Sequence, residues 1–257
     1  MPKLTTIAEH LDDLLRTADI PDYPNAINGV QMEHDQDITR VAAAVDARER
    51  TIQGAIESGA NLLIVHHGLF WGGLQPLRRA MLRRVRALLD APLAVYSAHL
   101  PLDAHPTLGN NVLLARELGL EPTAGFARHQ AIHIGVAGEA NVPTAELIRR
   151  ADEFAHRYGG AVRHSPAEPG RITRHWAICT GAGASRDTLD EAAAAGIDTL
   201  IVGEGAHWTA IDADELGITL IYAGHYATET PGVRALAEHV SRTWDIPWTF
   251  IDVPTGL

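Results

Sequence analysis

Cysteine is almost absent: Cys179 is the only one in 257 residues. An intrachain disulfide and a cysteine-built zinc cage are both excluded. Because Cys179 lies in the apolar run WAIC, it is expected to be a buried, inert thiol. Lysine is as scarce, with Lys3 standing against 20 arginines, a bias that reads as genome composition rather than function. No stretch approaches the roughly 18 apolar residues of a membrane span. The N-terminus, MPKLTTIAEHLDDLL, reads as an amphipathic helix without the apolar core of a secretion signal. Positive charge is lacking overall: the formal net charge is −11, which leaves no footprint for nucleic acid or an anionic membrane. A soluble, cytoplasmic protein is expected. At 46% hydrophobic and 21% charged, the chain can bury a core as one large domain or two small ones. The abnormal count is 14 histidines, far more than packing requires.

Apolar runs of strand length alternate with helix-like segments. Strands are expected at 39–46, 61–66, 92–98, 131–137, 174–180, 198–203, 218–223 and 247–252. Helices are expected at 4–17, 48–59, 76–90, 108–118, 143–158, 186–195, 207–216 and 231–243. Strands separated by helices argue for α/β layering with mostly parallel or mixed sheets. The stretch 159–173, rich in Gly, Pro and polar residues, reads as a connector.

The chain also repeats itself. Thr51 to Gly68 reads TIQGAIESGANLLIVHHG, and Thr188 to Gly205 reads TLDEAAAAGIDTLIVGEG, with seven of 18 positions identical and no gap. The next strands correspond as well: LAVYSAH ends at His99 and TLIYAGH ends at His225. Each of these histidines has a carboxylate four residues later, Asp103 and Glu229. Two related halves follow: residues 1–124, residues 125–222, and a segment 223–257 that returns to complete a site in the cleft between them.

Three strand ends carry the candidate chemistry, where α/β proteins bind ligands. His66-His67 follows the run LLIV. Adjacent strand residues point to opposite faces, so both rings serve one site only if the strand has already ended at Gly68; otherwise they are a solvated pair. HLPLDAHPTLGNN (99–111) offers His99, Asp103 and His105, with Thr107 as the natural cap of the following helix. GHYATETPGVRAL (224–236) offers His225 and Glu229, with Thr230-Pro231 reading as a helix cap and first turn. Glu229 is then either a partner of the helix dipole or a ligand. Imidazoles and carboxylates without thiolate suit Zn, Mn, Fe, Co or Ni. Two such divalent metal ions about 3.5–4 Å apart form a hydrolytic clamp that acidifies water.

Other features admit two readings each. Gly181 to Ser185 could cradle a phosphate on backbone N–H groups, or make only a turn and a cap. Glu204 and His207, counterparts of His67 and its surroundings, line the cleft or cap a helix. Trp71 and Tyr226 stack on a flat substrate or pack. His10, His34, His129, His133, His156, His164, His175 and His239 have no matched partners and read as surface or core residues.

VHHGLFW at 65–71, HLPLDAHPTLGNN at 99–111 and AGHYATE at 223–229 resemble the signatures of the Nif-three-like proteins, often called GTP cyclohydrolase I type 2 homologues. Asn28-Gly29-Val30-Gln31 resembles that family's Asn-Gly-Leu-Gln turn, and TFIDVP its last strand. The resemblance implies two α/β domains, a toroidal homohexamer, and two metals held by His66, His67, Asp103, His225 and Glu229. It places His99 close to the metals but not as a direct ligand, and in the hydrolase reading His99 shuttles a proton. It implies a metal-dependent hydrolase acting on a nucleotide or similar small molecule, with attack at C8 of guanine if the substrate is GTP. The competing reading is a metal carrier or metal-dependent regulatory module without turnover.

Overall fold

The expected alternation of apolar runs and amphipathic segments is realised in a computed structural model describing residues 1–257. In chain order the elements are α1 (Leu4–Leu15), β1 (Gly29–Met32), β2 (Val41–Asp46), α2 (Glu49–Glu57), β3 (Leu62–His67), α3 (Arg79–Asp90), β4 (Ala94–Ser97), α4 (Leu100–Asp103) and α5 (Asn110–Glu117). There follow β5 (Ala124–His129), β6 (Ile132–Pro143), α6 (Thr144–Arg157), β7 (Arg163–His164), β8 (Ile172–Cys179), α7 (Arg186–Ala194) and β9 (Thr199–Val202). The chain ends with α8 (His207–Glu215), β10 (Thr219–Tyr222), α9 (His225–Trp244) and β11 (Trp248–Phe250). No helix is long and apolar enough to cross a membrane.

The chain divides into two compact units. Unit one is Met1–Leu102 with Gly232–Val253, and unit two is Asp103–Pro231 with Pro254–Leu257. The divide therefore falls before the expected boundary at 124. Leu114, Ala115, Leu118 and Leu120 explain why, since they pack in one core cluster with Leu147, Phe154 and Trp176 of unit two. Segment 223–257 is likewise split, because β11 adds to unit one by pairing in parallel with β2.

Unit one carries the sheet β1-β4-β3-β2-β11. Its strands β2, β3 and β4 are parallel, and β1 runs antiparallel to β4. The sequences VAAAV and LLIV are buried throughout, as a strand covered on both faces requires. The register sets Asp46 of β2 beside His67 of β3. Unit one also joins two histidines left unmatched in sequence: His10 and His239 stack, with their Nε2 atoms 2.8 Å apart.

Unit two carries the sheet β5-β6-β8-β9-β10-β7, in which β8, β9 and β10 are parallel and β7 is antiparallel to β10. The expected connector 159–173 thus contains a short edge strand. Each unit holds a run of three parallel strands in chain order with helices between them and an antiparallel strand beside the third, and β11 adds a fourth parallel strand to unit one. The repeated segments match within that plan, each supplying a helix and a central strand. Even their caps agree. The Thr51 hydroxyl accepts the Arg48 N–H and donates to the Asp46 carbonyl. The Thr188 hydroxyl accepts the Ser185 N–H and donates to the Gly183 carbonyl.

Helix α9 departs from expectation. It begins at His225, not at Thr230-Pro231, so Pro231 lies inside it. An interior proline costs about 3 kcal/mol in an isolated helix. Here Tyr226 through Thr230 are all buried, and packing holds the turn helical in spite of that cost. Gly224, at φ 91°, ends the strand and releases the chain directly into the helix.

Cys179 closes β8, and burial pushes its thiol up to about 12. The native chain should accordingly give no reaction with a thiol reagent at pH 8 within the time that unfolded chain gives one equivalent. Stoichiometric labelling of the folded protein would contradict this.

Candidate metal-binding site

The donor groups of unit one gather at the carboxyl ends of β3 and β4. His66 and His67 are the last two residues of β3, so the strand runs one residue past the expected end at 66. Their rings nevertheless converge, with centroids 4.8 Å apart. The neighbouring strands explain it, because each ring is held from a different side. His66 Nδ1 lies 2.9 Å from the Ala98 carbonyl just beyond β4, and His67 Nδ1 lies 3.0 Å from Asp46 Oδ1 at the end of β2. His99, the third ring, is 4.9 Å from His66 between centroids. One donor atom from each of the three histidines falls within 4.8 Å of the others, a group able to hold a metal ion.

His99 is held by Asp22, which sequence reasoning did not single out. The buried Asp22 accepts His99 Nδ1 at 2.8 Å, the Tyr23 N–H at 2.6 Å, Asn28 Nδ2 at 2.8 Å and the Leu100 N–H at 2.9 Å. Burial by itself would raise its pKa. The hydrogen bond and charge of His99, with the bonds from Asn28 and Tyr23, outweigh that and hold the carboxyl below its ordinary range. Four donors saturate the carboxylate, so Asp22 orients a ring instead of presenting itself as a ligand. The signal was half visible: Asn28 opens the Asn-Gly-Val-Gln turn, and its Oδ1 also receives the His99 N–H at 2.8 Å.

Unit two supplies a second set. His225 and Glu229 are one helical turn apart on α9, which is why a spacing of four matters. His225 Nε2 is 3.0 Å from Glu229 Oε2, and His225 Nδ1 is 2.8 Å from Glu204 Oε1. Glu204 is thus a partner of the site, whereas His207 opens α8 at the surface. Gly181, at φ 62°, leaves the room: a Cβ there would overlap Glu229 Oε1. Asp103 is buried and accepts Asn110 Nδ2 at 2.8 Å. The adjacent Asn111 is a staple, donating to the Ile134 carbonyl and accepting the Thr180 N–H.

One expected role is corrected, and two open alternatives are decided. Thr107 does not cap α5; His105 Nδ1 takes the N–H groups of Thr107 and Leu108, and Gly109 occupies the cap position. Tyr226 is buried and packs. The loop from Gly181 to Ser185 makes a turn and a cap. Its Gly181, Ala184 and Ser185 N–H groups are spent on Thr228, the Glu204 carbonyl and Thr188, which takes three of the loop's five N–H groups from a phosphate.

The imidazoles share one feature. Nδ1 of His66, His67, His99 and His225 each faces an oxygen, which favours a proton on Nδ1 and leaves ligation to Nε2 in His66 and His67, whereas His225 Nε2 also meets Glu229 Oε2 and would release a proton on binding an ion. That is the arrangement a metal-binding histidine requires, and the residues present fit such a group.

These features define a two-sheet α/β protein with histidine and carboxylate groups able to hold a metal ion. The chain belongs to the Duf34/NIF3 (NGG1p interacting factor 3) family, which it matches over residues 2–256. It is 42% identical over 257 residues to a Halobacterium salinarum protein named GTP cyclohydrolase 1 type 2 homolog, covering 99% of both chains. A Deinococcus radiodurans protein of the same name is 41% identical over 249 residues, covering 96% of this chain and 92% of that one. Among solved structures, ybgI, a protein of unknown function, superposes with a TM-score of 0.88 at 34% identity, covering 99% of this chain and all of that one. A protein from Thermus thermophilus gives 0.83 at 32% identity, with the same coverage.

The His225 pair has a consequence for metal-free protein. Burial lowers the His225 pKa, but the hydrogen bonds and charges of Glu229 and Glu204 outweigh it and raise the pKa from 6.5 to about 9. A folded pKa above the unfolded one means that stabilisation is complete below about pH 6.5 and is lost as pH rises through about 9. The melting temperature of metal-free protein should fall between pH 7 and 9, and His225→Gln should flatten that fall. An unchanged slope in His225→Gln would remove the assignment.

Proposed function

We propose that the protein is a metal-dependent hydrolase acting on a nucleotide or related small molecule, with two divalent ions held by His66, His67, Asp103, His225 and Glu229. The observation that carries this reading is the shared Nδ1 anchoring of its imidazoles. Divalent ions held there supply Lewis acidity and acidify water. His66, His67 and His225 offer Nε2, and Asp103 and Glu229 supply the negative charge that two close cations need. Asn110 fixes Asp103 through its Oδ1. His99 has a different part. Its Nδ1 proton stays with Asp22, so Nε2 can take a proton from the attacking water and return it to the leaving group. The names of the relatives favour a nucleotide substrate, GTP among them.

Asp103→Ala should lose most of the bound metal while the fold persists, because Asp103, at the end of the short helix α4, is buried but belongs to none of the apolar core clusters. His99→Ala should keep its metal and lose about 10²–10⁴-fold in turnover. Metal analysis of purified variants, with an activity screen over nucleotides and phosphoesters, checks both. A full metal complement in Asp103→Ala would refute the ligand set. Metal retained with no turnover on any of these compounds would favour a carrier.

The same reading includes self-assembly into a ring-like homo-oligomer, six copies in number, as family membership suggests. Light scattering should return about six times the chain mass of 27.7 kDa. A stable monomer would exclude it.

A further inference from the structure

Two aromatic side chains beside the unit-one histidines are not buried. Trp71 is 40% exposed and Tyr23 53%. The Trp71 ring lies 4.6 Å from that of His99 and 5.5 Å from that of His67, centroid to centroid. Tyr23 lies 6.1 Å from both Trp71 and His99. Leaving this much aromatic surface in water forgoes burial energy that a packing role would collect.

The loops bearing the two rings are held in place. Gln31 Oε1 accepts the Leu69 N–H at 2.6 Å, and Gln31 Nε2 donates to the carbonyls of Ala26 and Ile27 at 3.0 and 2.8 Å. One amide therefore ties the segment after Tyr23 to the segment before Trp71. Gly68 makes space for it, since a Cβ there would overlap the Gln31 amide. The Gly73 N–H closes the turn around Trp71 by donating to the Phe70 carbonyl at 2.7 Å. This accounts for the Gln of the Asn-Gly-Val-Gln turn, a residue that the histidine cluster does not use.

We infer that Trp71, braced by Tyr23, is a stacking platform for a planar bicyclic heteroaromatic ring of purine size, placed at the edge of the histidine cluster. The inference rests on the hydrolase reading above and names its substrate class. An indole offers a two-ring π face that matches a bicyclic heterocycle, and stacking of this kind needs no particular hydrogen-bond pattern. Tyr23 stands perpendicular to Trp71, at 83° between planes, a contact that steadies the indole. A sugar phosphate or peptide without such a ring gains nothing from this surface. Trp71 is thus a specificity-determining residue and Gln31 a positioning residue.

The test is calorimetric titration of guanosine, adenosine and ribose into the metal-loaded full-length chain, with metal content measured separately. Both nucleosides should bind saturably and ribose should not. Trp71→Ala should weaken nucleoside binding about tenfold with its metal content and circular dichroism unchanged, and Trp71→Phe should recover most of the loss. Gln31→Ala should give an intermediate loss although both rings remain. Absence of saturable nucleoside binding by the wild-type chain, or equal affinity in Trp71→Ala, overturns the platform. A chain that takes up no metal yet keeps Trp71-dependent nucleoside binding sinks the hydrolase reading alone. A chain that holds metal with no dependence on Trp71 sinks the platform alone.

Discussion

An imidazole can serve a metal only through a nitrogen that carries no proton, and which nitrogen that is depends on what the other one touches. In this chain the choice is made by oxygens that the fold fixes before any ion arrives. The Ala98 carbonyl can only accept, so His66 must donate from Nδ1. Asp46 reaches His67 because the parallel pairing of β2 and β3 sets the two residues side by side. A slip of that register by one residue would reverse the faces of the strand that moves and strip His67 of its partner. A slip would also draw the polar end of one apolar run, Asp46 or His67, toward the close-packed core, so the partner of a strand-end ring is decided by packing several residues away.

The carboxylates divide into two kinds for the same reason. Asp22, Asp46 and Glu204 are spent on Nδ1 atoms, and Asp22 is saturated by four donors. Asp103 and Glu229 are the two that follow a strand-end histidine by four residues. In α9 that spacing is one helical turn, which brings Glu229 onto the ring of His225. The repeated half-plan thus reuses its geometry with altered chemistry. His67 of one half corresponds to Glu204 of the other, a ring in the first case and the partner of a ring in the second.

Much of this was legible in the sequence because it depends on local patterns. Buried parallel strands need unbroken apolar runs, and most of the expected strands and helices lie within a few residues of those found. The strand-end histidines and their carboxylates were legible through repetition. What escaped depends on distant contacts. Asp22 lies 77 residues from His99, in a stretch with no periodicity to mark it. The start of α9 was misplaced because Pro231 reads as a first-turn residue by local rules, and only the burial of Tyr226 through Thr230 overrides them. The short edge strands β1 and β7 have too few residues to carry an alternation.

The division between units followed from the same limit. Periodicity marks α5 as a helix but does not say which core receives it. Leu114, Leu118 and Leu120 choose Trp176 and Phe154, so the boundary moves to Asp103, at the end of the single turn α4. The consequence bears on function. His99 and Asp103 are separated by one short turn of chain, yet they belong to different units. The donors of the proposed ligand set are therefore drawn from two separately packed cores, with α4 and α9 as the elements whose residues are divided among both. Each half of the repeat keeps its capped helix and buried central strand, and each unit thereby fixes its own histidines against its own oxygens, Ala98 and Asp46 in the first and Glu204 in the second.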